Sequence, residues 1–211
     1  MKPEESAMHR LSTSSTLALL SAAVTILLSG CSRTVTWEEE VPLNTGDTIW
    51  VKRAVVYAYQ GAGGNPLDIG LRPTHVETLS FKWGGRQYVY QGDAAIMLLA
   101  ISPSGLPVLV APAADRSWDW EHEYYCTTPY YVQFVPDSNG TRWTWPPRIE
   151  TWLYGLPHNL MRQRRNAGEM KDRYSASDRT AEDAVMTMQS PSRAVVDATH
   201  VGRDCKRKRD A

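Results

Sequence analysis

Val-Glu-Thr-Leu-Ser-Phe-Lys-Trp-Gly-Gly-Arg-Gln-Tyr-Val-Tyr-Gln, residues 76–91, carries the clearest strand pattern in this 211-residue chain. Large apolar residues alternate with polar ones on both sides of Gly84 and Gly85, as expected for strands with one buried face. Two consecutive glycines satisfy the positive φ angles of a two-residue hairpin turn. The sequence therefore predicts a hairpin whose register pairs Trp83 with Arg86, Phe81 with Tyr88 and Leu79 with Tyr90.

Further strand patterns surround this hairpin, and no alternation of strands with long helices occurs before residue 158. Residues 61–72 are rich in glycine and contain Pro66, which predicts a loop. The chain is therefore expected to be mainly β, an antiparallel β-sandwich or barrel-like meander of about eight strands. The predicted strands beside the hairpin are 47–60, 94–101, 106–111, 118–126, 130–135, 141–145 and 149–156.

The start of the chain carries an apolar run, Leu17–Leu28, followed by Ser29, Gly30 and Cys31. A cationic start, an apolar core of about 7 to 15 residues and small residues before the cleavage point are the features of a secretory signal. Leu28 to Cys31 resembles the lipobox of a bacterial lipoprotein precursor. The resemblance implies cleavage before Cys31, a diacylglycerol thioether on its sulfur and an acylated amino terminus.

The lipoprotein resemblance also implies a location in the cell. An aspartate after the modified cysteine retains enterobacterial lipoproteins in the inner membrane, and Ser32 occupies that position here. The expected location is therefore the outer membrane, facing the periplasm. The start of the chain fits the pattern of a secretory signal less well, since Lys2 is offset by Glu4 and Glu5, and the sequence leaves open whether translation begins at Met1 or at Met8. Cys126 and Cys205 are the cysteines that remain once Cys31 carries lipid. An oxidising compartment would permit a disulfide between them, and the sequence leaves open whether they pair.

Composition divides the chain into four predicted parts. Residues 1–30 are the signal peptide and residues 31–46, with three consecutive glutamates, are read as an acidic spacer. A β domain is predicted over residues 47–160, and all aromatic residues except Tyr174 precede residue 161. Residues 161–211 form a basic polar tail that is expected to be disordered or weakly helical, with helical turns over 180–188.

Motifs for catalysis, metal binding or nucleotide binding are weak in this sequence. Asp119, Glu121 and Glu123 would share one face of a strand while His122 points to the other, so they do not converge on a metal. No cofactor is expected. The basic residues 206–209 would suggest nucleic acid in a cytosolic protein, but the predicted export removes that partner. A hydrolase without a recognisable motif stays an alternative, since catalytic triads assemble across a fold.

Aromatic residues are concentrated between positions 118 and 154. Rings of this kind fill a small β core, and they also stack on sugars or anchor protein interfaces. The sequence therefore predicts a non-enzymatic, lipid-anchored accessory or component of a periplasmic or trans-envelope assembly, with protein partners in the envelope. The alternative is a carbohydrate or peptidoglycan binding module, whose candidate ligand-binding rings are Trp118, Trp120, Tyr125, Trp143 and Trp145.

Overall fold

A computed structural model describes residues 32–62, 65–113, 129–161, 168, 170–178 and 195–200. A short 3₁₀ helix spans Thr151–Leu153, between the eighth strand and the ninth. The strands are β1 (Ser32–Pro42), β2 (Thr48–Ala62), β3 (Asn65–Trp83), β4 (Arg86–Gly92), β5 (Leu98–Ile101), β6 (Pro107–Pro112), β7 (Tyr131–Pro136), β8 (Trp143–Thr144) and β9 (Arg173–Tyr174).

These strands form two sheets that pack against each other. The five-stranded sheet has the order β4-β3-β2-β1-β9, and the four-stranded sheet has the order β5-β6-β7-β8. Every pairing is antiparallel except that of β1 with β9. The mainly β fold predicted from the sequence is confirmed, in its sandwich form.

The predicted hairpin is confirmed down to its register. Strands β3 and β4 pair Trp83 with Arg86, and the two turn glycines have φ angles of 55° and 76°. Phe81 and Tyr88 lie opposite each other, with ring centroids 5.4 Å apart and nearly parallel planes. Both rings are buried. A slip of one residue would expose them to water, so their burial favours this register.

The core has three parts. The largest lies between the sheets and combines residues such as Phe81 and Tyr90 with Leu109 and Phe134 from the other sheet. A second part covers the opposite face of the four-stranded sheet, where Leu153 of the 3₁₀ helix packs. The third covers the rest of the inner face of the five-stranded sheet, and its members are Val35, Trp37, Val55, Tyr57, Met161 and Tyr174.

The segment read as an acidic spacer is a strand, which corrects the expectation for residues 31–46. Strand β1 pairs with β2 along its whole length, from Ser32 opposite Ala58 to Pro42 opposite Thr48. Its glutamates do not share one environment, because alternation places Glu39 inside while Glu38 remains exposed. The three consecutive glutamates interrupt the apolar alternation of β1. Its buried positions still follow a period of two, at Val35, Trp37, Glu39 and Val41.

Two other local predictions are also wrong. The glycine-rich residues predicted as a loop belong largely to β2 and β3, which pair Gln60 with Gly70 and Gly61 with Ile69. Glycine permits a turn but does not forbid an extended backbone, and the register shift at Gly61/Ala62 absorbs the irregularity. Residues 149–156 form the 3₁₀ helix and a turn instead of a strand, with Gly155 at φ 80°. The strand predicted over 94–101 is shorter, Leu98–Ile101.

Described parts of residues 161–211 lie against the body. Met161, Tyr174 and Val196 are all almost fully buried. Several sequence predictions fall outside the described residues: the signal and Cys31, the strand over 118–126 with Cys126, the helical turns over 180–188, and Cys205. Within the described ranges, no helix is long and apolar enough to span a bilayer.

Candidate functional site

The first candidate site is the end of the five-stranded sheet at which strand β1 begins, next to Cys31 in the sequence. Ser32, the residue after that cysteine, pairs with Ala58, which in turn pairs with Arg72. We call these three residues the anchor row. Strands β2 and β3 continue past it as a hairpin arm, residues 59–62 and 65–71. Tyr59 is the first residue of this arm, and 58% of its surface is exposed.

A buried charge network lies further along the same three strands. The Arg53 guanidinium is 1% exposed and contacts two fully buried carboxylates. Its Nη1 lies 3.0 Å from Glu39 Oε1, and its Nε donates to Glu77 Oε1 at 2.6 Å. Its Nη2 also forms an ion pair with Glu77. One residue from each of β1, β2 and β3 thus meets in the core.

The network ties the sheet to distant backbone. Arg53 Nη1 donates to the Met161 carbonyl at 2.5 Å, and the Met161 amide donates to Glu39 Oε2 at 2.8 Å. The Trp37 ring lies under the guanidinium, 5.0 Å from Arg53 Cζ. Burial by itself would lower the pKa of Arg53, but the charges of Glu77 and Glu39 outweigh it and raise that pKa. The cation is therefore permanent, and its enclosed position makes it a structural group.

Two asparagines complete the edge of β5, where a sheet would otherwise leave backbone groups unpaired. Asn159 Oδ1 accepts from the Leu99 amide at 2.8 Å, and its Nδ2 donates to the Leu99 and Pro42 carbonyls. Asn44 makes the same pair of bonds with Ile101, at 2.7 and 2.9 Å. These amides replace a neighbouring strand and join β5 to the end of β1.

A hollow of about 500 Å³ is the second candidate site. Trp145 is 40% exposed, and its ring meets Phe134 nearly edge-on with centroids 6.4 Å apart. Burial raises the pKa of the Tyr90 hydroxyl on the same wall. The hollow is open and combines aromatic rings with polar side chains, and its lining is Tyr90, Gln91, Gly92, Asp93, Phe134, Thr141, Arg142, Trp143 and Trp145.

Of the five aromatic residues that the sequence grouped, the structure describes Trp143 and Trp145, and both line the hollow. Trp143 is a core residue, 9% exposed, and its Nε1 donates to the Val89 carbonyl at 2.7 Å. Trp145 lies two residues on and faces the hollow. Trp118, Trp120 and Tyr125 lie outside the described residues. Among the residues that are described, no group of three His, Cys, Asp or Glu side chains is placed to hold a metal ion.

The sequence reading missed both the charge network and the asparagine pair. Arg53 falls between Val51 and Val55 in the alternation of β2, at a position that the pattern assigns to the buried face. A charged residue there is a usable signal, because ionised side chains are rarely buried without partners. Asn159 offered no such signal, since its contacts to Leu99 and Pro42 are 60 and 117 residues away.

Comparisons with known proteins found no match for this chain among protein-family models, curated proteins or solved structures.

Proposed function

We propose that the protein is a lipid-anchored, non-enzymatic lipoprotein of the outer membrane that faces the periplasm and serves as an accessory or component of an envelope assembly. The observation that carries the proposal is the place of β1. The sequence that resembles a lipobox ends at Cys31, and the next residue, Ser32, already belongs to strand β1. Lipid on Cys31 would hold a rigid sandwich directly at the membrane.

The outer edge of β1 supports an interaction role. Strand β9 pairs with β1 only at Glu38 and Glu39. Among the described strands, no other lies along that edge from Ser32 to Trp37. A strand edge exposes backbone donors and acceptors that a partner strand can pair with. A protein partner that adds a strand beside the anchor would join the same sheet.

Palmitate labelling tests the anchor. The full-length protein is expressed in a bacterium with labelled palmitate, and the mature product is analysed by mass spectrometry. Label and diacylglycerol should appear on the wild type and on Cys126→Ser and Cys205→Ser, which are the matched controls. The Cys31→Ser variant should carry neither. An intact leader, or a free thiol at position 31, would overturn the proposal.

A second candidate function is binding of a sugar polymer such as peptidoglycan in the aromatic hollow. The specific observation is the partly exposed Trp145 ring beside Arg142 and Asp93. An indole face stacks on the apolar face of a sugar, and charged groups at the rim orient its polar substituents.

Titration with soluble peptidoglycan fragments tests this second function. Trp145→Ala should remove binding, whereas Trp50→Ala should leave it unchanged, because Trp50 has the same 40% exposure on the other sheet. Equal affinity of both variants, or no binding by the wild-type protein, would rule out the hollow as a sugar site.

A further inference from the structure

The hairpin arm extends past the anchor row, at the end of β1 where Ser32 is joined to Cys31. Consecutive Cα atoms are about 3.8 Å apart, so the cysteine lies within one residue of the anchor row. On β2 the arm continues for the four residues Tyr59–Ala62. At about 3.3 Å per residue, those four residues reach about 13 Å beyond the row.

This geometry leaves little room between the arm and a lipid surface. A thioether to diacylglycerol would place the Cys31 sulfur at the glycerol level of the leaflet. The polar layer outside the hydrocarbon is only about 5–8 Å thick on each side. An arm that extends about 13 Å past the anchor row therefore enters that layer or lies along it.

The residues at this end have the chemistry of a membrane interface. Tyr59 is largely exposed, and tyrosine favours the boundary between headgroups and acyl chains. Arg33, on the row next to the anchor row, is exposed, and Arg72 lies within the row itself. Strand alternation puts Arg33 and Tyr59 on one face and Arg72 on the other. Cations near an anionic surface attract lipid phosphates.

We infer that the hairpin arm is a second membrane contact, in which Tyr59 sits in the headgroup layer and the exposed Arg33 faces lipid phosphates. This inference rests on the proposed lipid anchor. It fixes how the sandwich stands: the end with the arm is at the bilayer, and the opposite ends of β1 and β2 are held away from it.

Photo-crosslinking of the intact lipoprotein tests the inference. A benzophenone amino acid replaces Tyr59, or replaces Trp50 as the control. Both positions are exposed on β2, and they are nine residue steps, about 30 Å, apart. Each protein is reconstituted in vesicles of phosphatidylethanolamine and phosphatidylglycerol and irradiated. Mass spectrometry then measures the mass of the protein and of any lipid adduct. Lipid adducts should form at position 59 and stay at the unirradiated background at position 50.

The same spectra separate failure of this inference from failure of the anchor. A protein without lipid on Cys31 would overturn the proposed function. A protein with lipid on Cys31 but equal adducts at both positions would overturn the arm contact alone. Arg33→Glu should lower the yield at position 59 in anionic vesicles and leave it unchanged in purely zwitterionic ones. An unchanged yield in both would remove the phosphate contact.

Discussion

Among single residues, the buried Arg53 matters most, because its charge balances two buried carboxylates. Glu39 and Glu77 are both fully buried and both need its charge. Burying ions costs more than an ion pair usually returns, so the network is a weak source of stability by itself. It is specific, however, because a one-residue slip of any of the three strands would move a carboxylate or the guanidinium to the other face of the sheet.

Replacing Arg53 with leucine should destabilise the protein by about 3–5 kcal/mol, since two buried carboxylates would lose the positive charge of Arg53. Urea unfolding measures the change. Lys52→Leu is the control on the same strand and the exposed face, and it should change stability by no more than about 0.5 kcal/mol. Replacing Glu39, Arg53 and Glu77 together with leucine, methionine and leucine should recover most of the loss. A similar small effect for Arg53→Leu and Lys52→Leu would contradict this account.

Asp178 makes the stability of the folded protein depend on pH in the acid range. Hydrogen bonds from the Ser175 amide and hydroxyl, and then from Lys171, lower the pKa of its carboxyl from 3.8 to about 2. A lowered pKa in the folded state stabilises the protein above about pH 4, and this contribution is lost as the pH falls toward 2. Asp178→Asn should therefore flatten the fall in Tm between pH 4 and pH 2. Asp172→Asn, an exposed neighbour, should leave that slope as it is.

At the scale of elements, short strands are completed by side chains and turns. The turn that begins at Asp137 covers the edge of β4, where the Val89 amide donates to the Gly140 carbonyl at 2.9 Å. Hydrogen bonds from the amides of residues 139–142, acting against partial desolvation, lower the pKa of the Asp137 carboxyl. On the other sheet, Asn159 and Asn44 do the same work for β5.

The two asparagines should differ in their effect when changed to alanine. Asn159 is 4% exposed, so Asn159→Ala leaves buried backbone groups unpaired and should cost about 1–3 kcal/mol or more. Asn44 is exposed, and water can replace it, so Asn44→Ala should cost less. Amide hydrogen exchange would show the Leu99 amide losing protection in the first variant and the Ile101 amide in the second. Equal costs would show that burial does not decide the outcome.

Across the molecule as a whole, the described residues after position 160 (161, 168, 170–178 and 195–200) pack as part of the fold. Tyr174 is fully buried on the inner face of the five-stranded sheet, beside Trp37 and Tyr57. Its hydroxyl accepts a hydrogen bond from the Lys171 amide at 2.8 Å. The four-stranded sheet is too narrow to cover this part of the face, so the later segment supplies the missing layer.

Tyr174→Ala should cost about 3–5 kcal/mol, as expected for removing a large aromatic side chain from a core. Tyr59→Ala, the exposed tyrosine of the arm, should change stability by no more than about 0.5 kcal/mol. Thermal and urea unfolding of the two variants make the comparison. A cost near zero for Tyr174→Ala would mean that the later segment packs on a body that does not need it.

The amino-acid sequence was enough to predict the mainly β fold and the register of the β3–β4 hairpin, because period-two alternation and a Gly-Gly turn are local signals. It also determined the resemblance to a lipoprotein signal, which depends on adjacent residues. Three outcomes needed the tertiary structure: the acidic residues before Pro42 form a strand, Arg53 has two carboxylate partners, and Trp143 is largely buried while Trp145 stays 40% exposed at the same hollow. Those outcomes depend on contacts between residues far apart in the chain, which no local pattern specifies.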